Sequence, residues 1–205
     1  MTNRERFTAV LNGKPADRLP VVEWASWWNE TFSEWQKQGL DEKWTADKLY
    51  DYYGLDTLVQ AWINHRMPGF PEPKEHGHEI MQDEHDYEHL KKMMFSEEYM
   101  HQCMQYFKSI KSQHEAGHFA LWYTIEGFFW FPRTLFGIEN HLYAFYDYPE
   151  LMHRINQDQT DYMLMFLEEM YKVVTPDFMT FAEDMSYNHG PMLSKDCYDE
   201  FIKPY

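Results

Sequence analysis

The sequence predicts an α/β fold, a parallel sheet with helices outside it, and within that class a TIM (β/α)8 barrel or a piece of one. Four short, largely apolar runs, at 19–25, 56–63, 119–125 and 178–182, read as buried strands, and segments with apolar residues three and four apart separate them. Strands alternating with helices point to a parallel sheet, not to a sandwich or a bundle. A doubly wound nucleotide-binding sheet would carry G-x-G-x-x-G after its first strand or a Walker A loop, and neither occurs. The barrel is therefore favoured.

Each element has its own signal. Asn3 is the expected N-cap of a first helix with Phe7, Val10 and Leu11 on one face, stopped by Gly13, Lys14 and Pro15. The first strand, 19–25, starts after an Arg-Leu-Pro turn and runs into Ser26-Trp27-Trp28-Asn29. Helical patterns at about 30–38 and 45–53 close on Gly39 and Gly54. The β-branched run 56–63 is the second strand, and the Pro- and Gly-rich stretch 67–73 must be loop. Residues 75–92 are polar and weakly alternating, which predicts a surface β-hairpin insertion. Ser96 can cap a helix bearing Met100, Cys103, Met104, Phe107 and Ile110, ended by Gly117. The third strand is 119–125. A long helix over 148–173 leads through Thr175-Pro176-Asp177 into the fourth strand, 178–182, and Ser194 begins a last helix.

Composition excludes several function classes. The 205 residues are 25% charged and 44% hydrophobic, as in globular proteins, so disorder is excluded. No apolar stretch approaches the roughly 20 residues of a membrane span, and the polar start Thr2 to Arg6 does not resemble a signal peptide, so a cytoplasmic location is expected. Cys103 and Cys197 form no ligand-spaced pair, which argues against a disulfide framework or a zinc module. A net charge of −16 repels phosphate backbones and anionic lipid, so neither nucleic acid nor membrane is an expected partner. Aromatics make up 19% of the chain, beside 14 Met. That ring and thioether surface either lines a cavity or interface for a flat or apolar partner, or packs an unusually bulky core.

The two ends of the chain are the most specific. The closing block, Phe181-Ala-Glu-Asp-Met-Ser-Tyr-Asn-His-Gly-Pro-Met-Leu-Ser194 through Phe201-Ile-Lys-Pro-Tyr205, resembles the uroporphyrinogen decarboxylase superfamily. So does the opening, Arg4-Glu-Arg-Phe-Thr-Ala-Val-Leu-Asn-Gly13 followed by Pro15-Ala-Asp-Arg-Leu-Pro-Val21. The resemblance spans nearly the whole of 1–205 as one domain. It implies a TIM barrel of which this chain supplies about the first four βα units, so that the chain reads as an N-terminal half. It implies in addition one of two activities. True decarboxylases remove acetate carboxyls from a tetrapyrrole without a metal, gripping it with arginines after the first strand. Corrinoid-linked methyltransferases move a methyl group between a cobalamin protein and an acceptor using zinc. Here the loop after the first strand reads Glu23-Trp-Ala-Ser-Trp-Trp-Asn29, without arginine, a poor seat for a polyanion. The expectation is therefore methyl transfer, with a corrinoid protein as partner. The zinc ligands of that branch, His-x-Cys and a later Cys, fall in the other barrel half, and Cys103 and Cys197 do not match them. Decarboxylation of a tetrapyrrole-like molecule, without cofactor, is the alternative. A non-catalytic half-barrel that pairs with another half, for instance as a homodimer, is a third, because bare parallel edges recruit partners.

Functional groups of a barrel stand at the carboxyl ends of its strands. Glu183 and Asp184 follow the fourth strand, and because neighbouring residues point oppositely only one of them is expected to face the mouth and contact substrate or metal; the competing reading is a structural role capping the next loop. His189, in the same loop, is a candidate proton donor or ligand, or simply a backbone-bonded loop histidine. Together these three are the candidate catalytic set. After the third strand, Tyr123, Glu126, Phe128 and Arg133 bring an acid, a base and rings to the mouth, where the rings could stack on a corrin or porphyrin and Arg133 could meet a carboxylate. The competing reading is a hydrophobic helix docked on the sheet. Glu23 and Trp24 compete for the inward position on the first strand, while Gln60 and Trp62 share a face of the second and His65 follows it. His76, His78, His85 and His89 have H-x-H and H-x3-H spacings, but the second serves a metal only on a helix, and the hairpin expectation makes this a solvated ribbon. No metal ligand is assigned.

Overall fold

Three strands, β1 (Leu58–Ile63), β2 (Ala120–Glu126) and β3 (Phe178–Ala182), form a parallel sheet in the order β1-β2-β3 in the computed structural model, which describes residues 1–25 and 27–205 and, for Ala46 and Asp47, the backbone alone. About half of the chain is helical. Helices α1 (Asn3–Leu11), α2 (Asn29–Lys37) and α3 (Ala46–Tyr53) precede β1; α4 (Glu84–Lys91) and α5 (Glu97–Glu115) connect β1 to β2; α6 (Trp130–Phe136), α7 (Ile138–Asp147) and α8 (Pro149–Val173) connect β2 to β3. A short antiparallel ribbon, β4 (Ser186–Tyr187) with β5 (Gly190–Pro191), and α9 (Lys195–Phe201) follow. Every residue of β2 up to Ile125 is buried, as expected of a central parallel strand covered on both faces. Among the described residues no helix is long and apolar enough to cross a membrane.

The chain divides into two compact units, 1–61 with 110–122 and 176–178, and 62–109 with 123–175 and 179–205. The first is organised by two buried carboxylates. Asp56 accepts from Arg6 Nη1 at 2.6 Å, Arg18 Nη1 at 2.5 Å and Nη2 at 2.9 Å, and the Val21 N–H at 2.9 Å. Burial alone would raise its pKa, but the Arg18 and Val21 hydrogen bonds and both guanidinium charges outweigh it and hold Asp56 below the usual carboxylate range. Asp177 likewise takes Arg4 Nε at 2.8 Å, the His114 ring at 2.9 Å and the Leu121 N–H at 2.9 Å. These bonds tie the start of the chain to segments far away in sequence.

They also explain why the first expected strand is absent. Residues 19–25 have no ladder; Val21 spends its N–H on the Asp56 side chain and its carbonyl on the Asp56 N–H at 2.7 Å. Pro20 has no N–H to offer a neighbouring strand. The first helix is capped by Thr2, not Asn3, in a capping box with Glu5.

The second unit holds one contiguous core in which Phe129, Phe131, Leu135 and Phe136 meet Tyr87, Met152, Ile155 and Phe201. The hairpin expected over 75–92 is a helix at its C-terminal end. Asp83 caps α4 through the Asp86 N–H at 3.0 Å, and only Tyr87 and Leu90, three apart, are buried. The polar pattern was the solvent face of that helix, which a period-two reading mistakes for a ribbon. The other boundaries agree closely: Ser96 and Ser194 cap α5 and α9, Gly54 closes α3 in the left-handed conformation, and β3 spans the expected residues.

Replacing Asp56 with Ala leaves two guanidinium groups without their shared partner, one of them buried. The expected cost is about 3–5 kcal/mol, read as a lower midpoint in urea unfolding, whereas Asp17→Ala, at an exposed site, is expected to cost much less.

Candidate functional site

The carboxyl ends of β2 and β3 carry the chemistry of the second unit. β2 ends on Glu126, whose backbone carbonyl accepts from the buried Gln159 side chain of α8 at 2.6 Å. Its carboxylate faces Arg66 in a two-pronged pair, Nη1 to Oε1 at 3.1 Å and Nη2 to Oε2 at 2.9 Å. Arg66 Nη2 also donates to Thr134 Oγ1 at 2.5 Å, and its guanidinium lies 5.3 Å over the Phe131 ring. An Arg–carboxylate pair joined by one hydrogen bond and a second close N···O contact, flanked by an aromatic face, is a fixed charged group.

Local backbone pairing places Arg66. The Met67 N–H donates to Met93 O at 2.9 Å, Arg66 bridges Met94, and the Phe95 N–H donates to His65 O at 2.8 Å. Phe95 has φ +59°, in the left-handed region that a bulky side chain avoids, a strain of about 1–3 kcal/mol. Its ring thereby stacks on His65 at 5.6 Å between centroids, while Phe131 meets the imidazole in a T-shaped contact at 3.9 Å. His65 is enclosed, neither ring nitrogen has a hydrogen-bond partner among the described residues, and Nε2 stands 3.5 Å from Glu126 Oε2. Burial, with the Arg66 charge beside it, holds His65 well below the usual imidazole range, so the ring is neutral.

Glu183 follows β3. Its carboxylate accepts from the Phe129 N–H at 3.2 and 3.3 Å and from the Trp130 N–H at 2.7 Å, at the opening of α6. It occupies the space a side chain would take at Gly127, where a Cβ would lie 1.6 Å from Glu183 Oε2. The Gly127 N–H continues the sheet by donating to Ala182 O at 2.9 Å. Burial raises Glu183 to about 7 even though the Phe129 and Trp130 N–H groups favour the ionised form. An acid that exchanges its proton near neutrality at a strand end is suited to general acid or base work. Between the strands, Thr124 and Thr180 share a hydrogen bond of 2.8 Å.

The structure thus brings Glu126 and Glu183, both expected at the sheet edge, to the second unit's carboxyl end, and adds Arg66 and Thr134, which sequence reasoning missed. Asp184 is exposed, and its carbonyl meets Arg133 Nη1 at 3.5 Å. Of the neighbouring acids it is Glu183 that turns inward. His189 sits in the exposed β4–β5 turn with its ring 5.6 Å from Tyr187. Tyr123 is buried; its hydroxyl meets Met179 Sδ at 3.4 Å and a bond to Tyr171 of α8, with burial, pushes it above the usual phenol range. Phe128 is half-buried against the core and Trp62 is exposed. The ring-rich segment forms the docked hydrophobic helix, α6, with Phe129 and Phe131 fully buried. Glu23 and Trp24 lie in the first unit, where the Glu23 carbonyl accepts from Tyr50 Oη at 2.6 Å and Trp24 is exposed.

These features describe an α/β protein with a cluster of carboxylates, a candidate site, at the carboxyl edge of a parallel sheet. The chain matches no family model, no curated protein and no solved structure with which it was compared.

Two outcomes test the site. Because Glu183 holds its proton more tightly folded than unfolded, its contribution is present below about pH 4.5 and is lost as pH rises to about 7, on the order of 2–3 kcal/mol in all. Glu183→Gln is expected to flatten that decline in urea unfolding measured at pH 4.5 and pH 7.5. Gly127→Ala must expel the Glu183 carboxylate, so the group's titration, followed by carboxyl-carbon NMR, is expected to move down from about 7 towards 4.5.

Proposed function

We propose that the chain is the first half of a (β/α)8 barrel of the uroporphyrinogen decarboxylase family and that the intact form transfers a methyl group to or from a corrinoid carried by a partner protein. The single observation that carries this reading is Glu183. It lies in the very block, 181–205, whose residues resemble that family, and it is an inward acid held near 7 at the end of β3. Sheet order, strand-helix alternation and a carboxyl-end site all agree with a barrel of this kind. The missing arginines at 23–29 favour the methyltransferase branch over a polyanion lyase.

Roles follow from the geometry. Arg66 and Glu126 hold each other and present a fixed dipole beside the substrate; neutral His65 excludes water behind them. Glu183 takes or returns the proton of a thiol or similar acceptor as the methyl group moves. Zinc does not fit these residues. It would need thiolate or imidazole donors together, yet Cys103 is on α5 and Cys197 is buried on α9, and no group of metal-ligating side chains among the described residues includes either. No step is therefore routed through a metal.

The test is methyl transfer from methylcobalamin to a thiol by the full-length gene product, followed by the visible spectrum of the corrinoid. Turnover is expected, with Glu183→Gln lowering kcat by about 100-fold or more, the usual scale for a general acid or base. Absence of turnover with measurable release of carbon dioxide from a porphyrinogen would replace this reading by decarboxylation.

A further inference from the structure

Beside the Arg66–Glu126 pair a cleft of about 280 Å³ opens within the second unit. Its floor and one wall come from Arg66, Trp130, Arg133 and Ile138; the facing wall is the loop bearing Phe70 and Ile80. That loop is held in place. The Ile138 N–H donates to Gly77 O at 2.9 Å, and the Ile80 and Met81 N–H groups donate to Leu135 O at 2.9 and 3.1 Å. The contact is close enough to need glycine at 137, where φ is +78° and a Cβ would lie 2.7 Å from the Glu79 nitrogen. The cleft is pre-formed, as small-molecule sites usually are.

Its charges are unequal. Arg66 is neutralised by Glu126. Arg133 has no carboxylate within ion-pair distance among the described residues; its guanidinium lies 5.1 Å over the Trp130 ring and reaches only the Asp184 carbonyl, at 3.5 Å. A half-buried arginine on an aromatic ring, facing an apolar cleft with its donors unspent, matches a planar anion. Glu72 also lines the cleft and His78 turns towards Glu75, so the lining carries no net surplus once Glu126 is counted against Arg66; what it offers is one guanidinium, Arg133, without a carboxylate at ion-pair distance among the described residues. One unpaired guanidinium with Glu72 on the same lining suits a monoanion better than a dianionic phosphate. The volume falls just below the range of roughly 300–1,000 Å³ usual for ligand pockets, too small for a tetrapyrrole or corrin.

We propose that this cleft binds a small organic monocarboxylate, an aromatic or short-chain acid whose carboxylate is held by Arg133 and whose apolar body fills the space between Phe70, Ile80 and Ile138. The site does not depend on the methyl-transfer reading, since binding is measured without turnover. 4-Fluorobenzoate is the probe, observed by fluorine NMR line broadening with the full chain. Broadening at millimolar probe is expected, with 4-fluorobenzamide, the neutral isostere, weaker by about tenfold or more, the scale of a charge-assisted hydrogen bond. Arg133→Gln is expected to lose the benzoate to the same degree, and Arg133→Lys to retain part of it. Should Arg133→Gln fail to fold by circular dichroism, Ile138→Trp fills the cleft instead and is expected to abolish broadening. Equal broadening by benzoate and benzamide, binding unchanged in Arg133→Gln, tighter binding of 4-fluorophenyl phosphate, or no broadening at all would each overturn the assignment.

Discussion

A carboxylate buried against backbone N–H groups is the constraint around which the second unit is arranged. Glu183 fits only because residue 127 has no side chain, and its oxygens satisfy the Phe129 and Trp130 N–H groups that the start of α6 would otherwise leave open. With α6 set there, Phe131 and Leu135 enter the core, Thr134 turns to Arg66, and Trp130 and Arg133 line the cleft. One acid therefore connects the end of β3, the turn after β2 and the placement of the charged groups.

The same economy governs the other charges. Asp56 and Asp177 in the first unit are saturated by guanidinium, imidazole and backbone donors, so they hold segments together and have nothing left for a ligand. Glu183 is saturated only by neutral N–H groups in a buried place, which leaves its protonation responsive near neutral pH. Asp56 and Asp177 are answered by a full positive charge, whereas Glu183 is not. Arg66 and Arg133 show the complementary contrast: the first has its carboxylate in Glu126, the second faces a cleft without one.

Strands β1, β2 and β3 were legible because their runs are short, apolar and bounded by turn residues, α5 and α9 because cap and spacing agree, and α8 by spacing alone. Two segments misled. At 19–25 the apolar residues suggested a strand, but ladder formation depends on a partner edge, and Val21 found Asp56 instead. At 84–91 only two buried residues mark the helical face, so Tyr87 and Leu90 were outvoted by the polar majority.

For the site, the sequence alone determined which strand ends carry acids, because position relative to an apolar run is a local property: Glu126 and Glu183 both stand there. Which of Glu183 and Asp184 turns inward, that Arg66 and Thr134 join Glu126, and that the rings of Phe129 and Phe131 pack the core were decided by tertiary structure alone. Those outcomes rest on pairings across long stretches of chain, such as Met67 with Met93 and Glu183 with Phe129, and on the absent side chain of Gly127. No local pattern of residues encodes a contact whose other half lies fifty positions away.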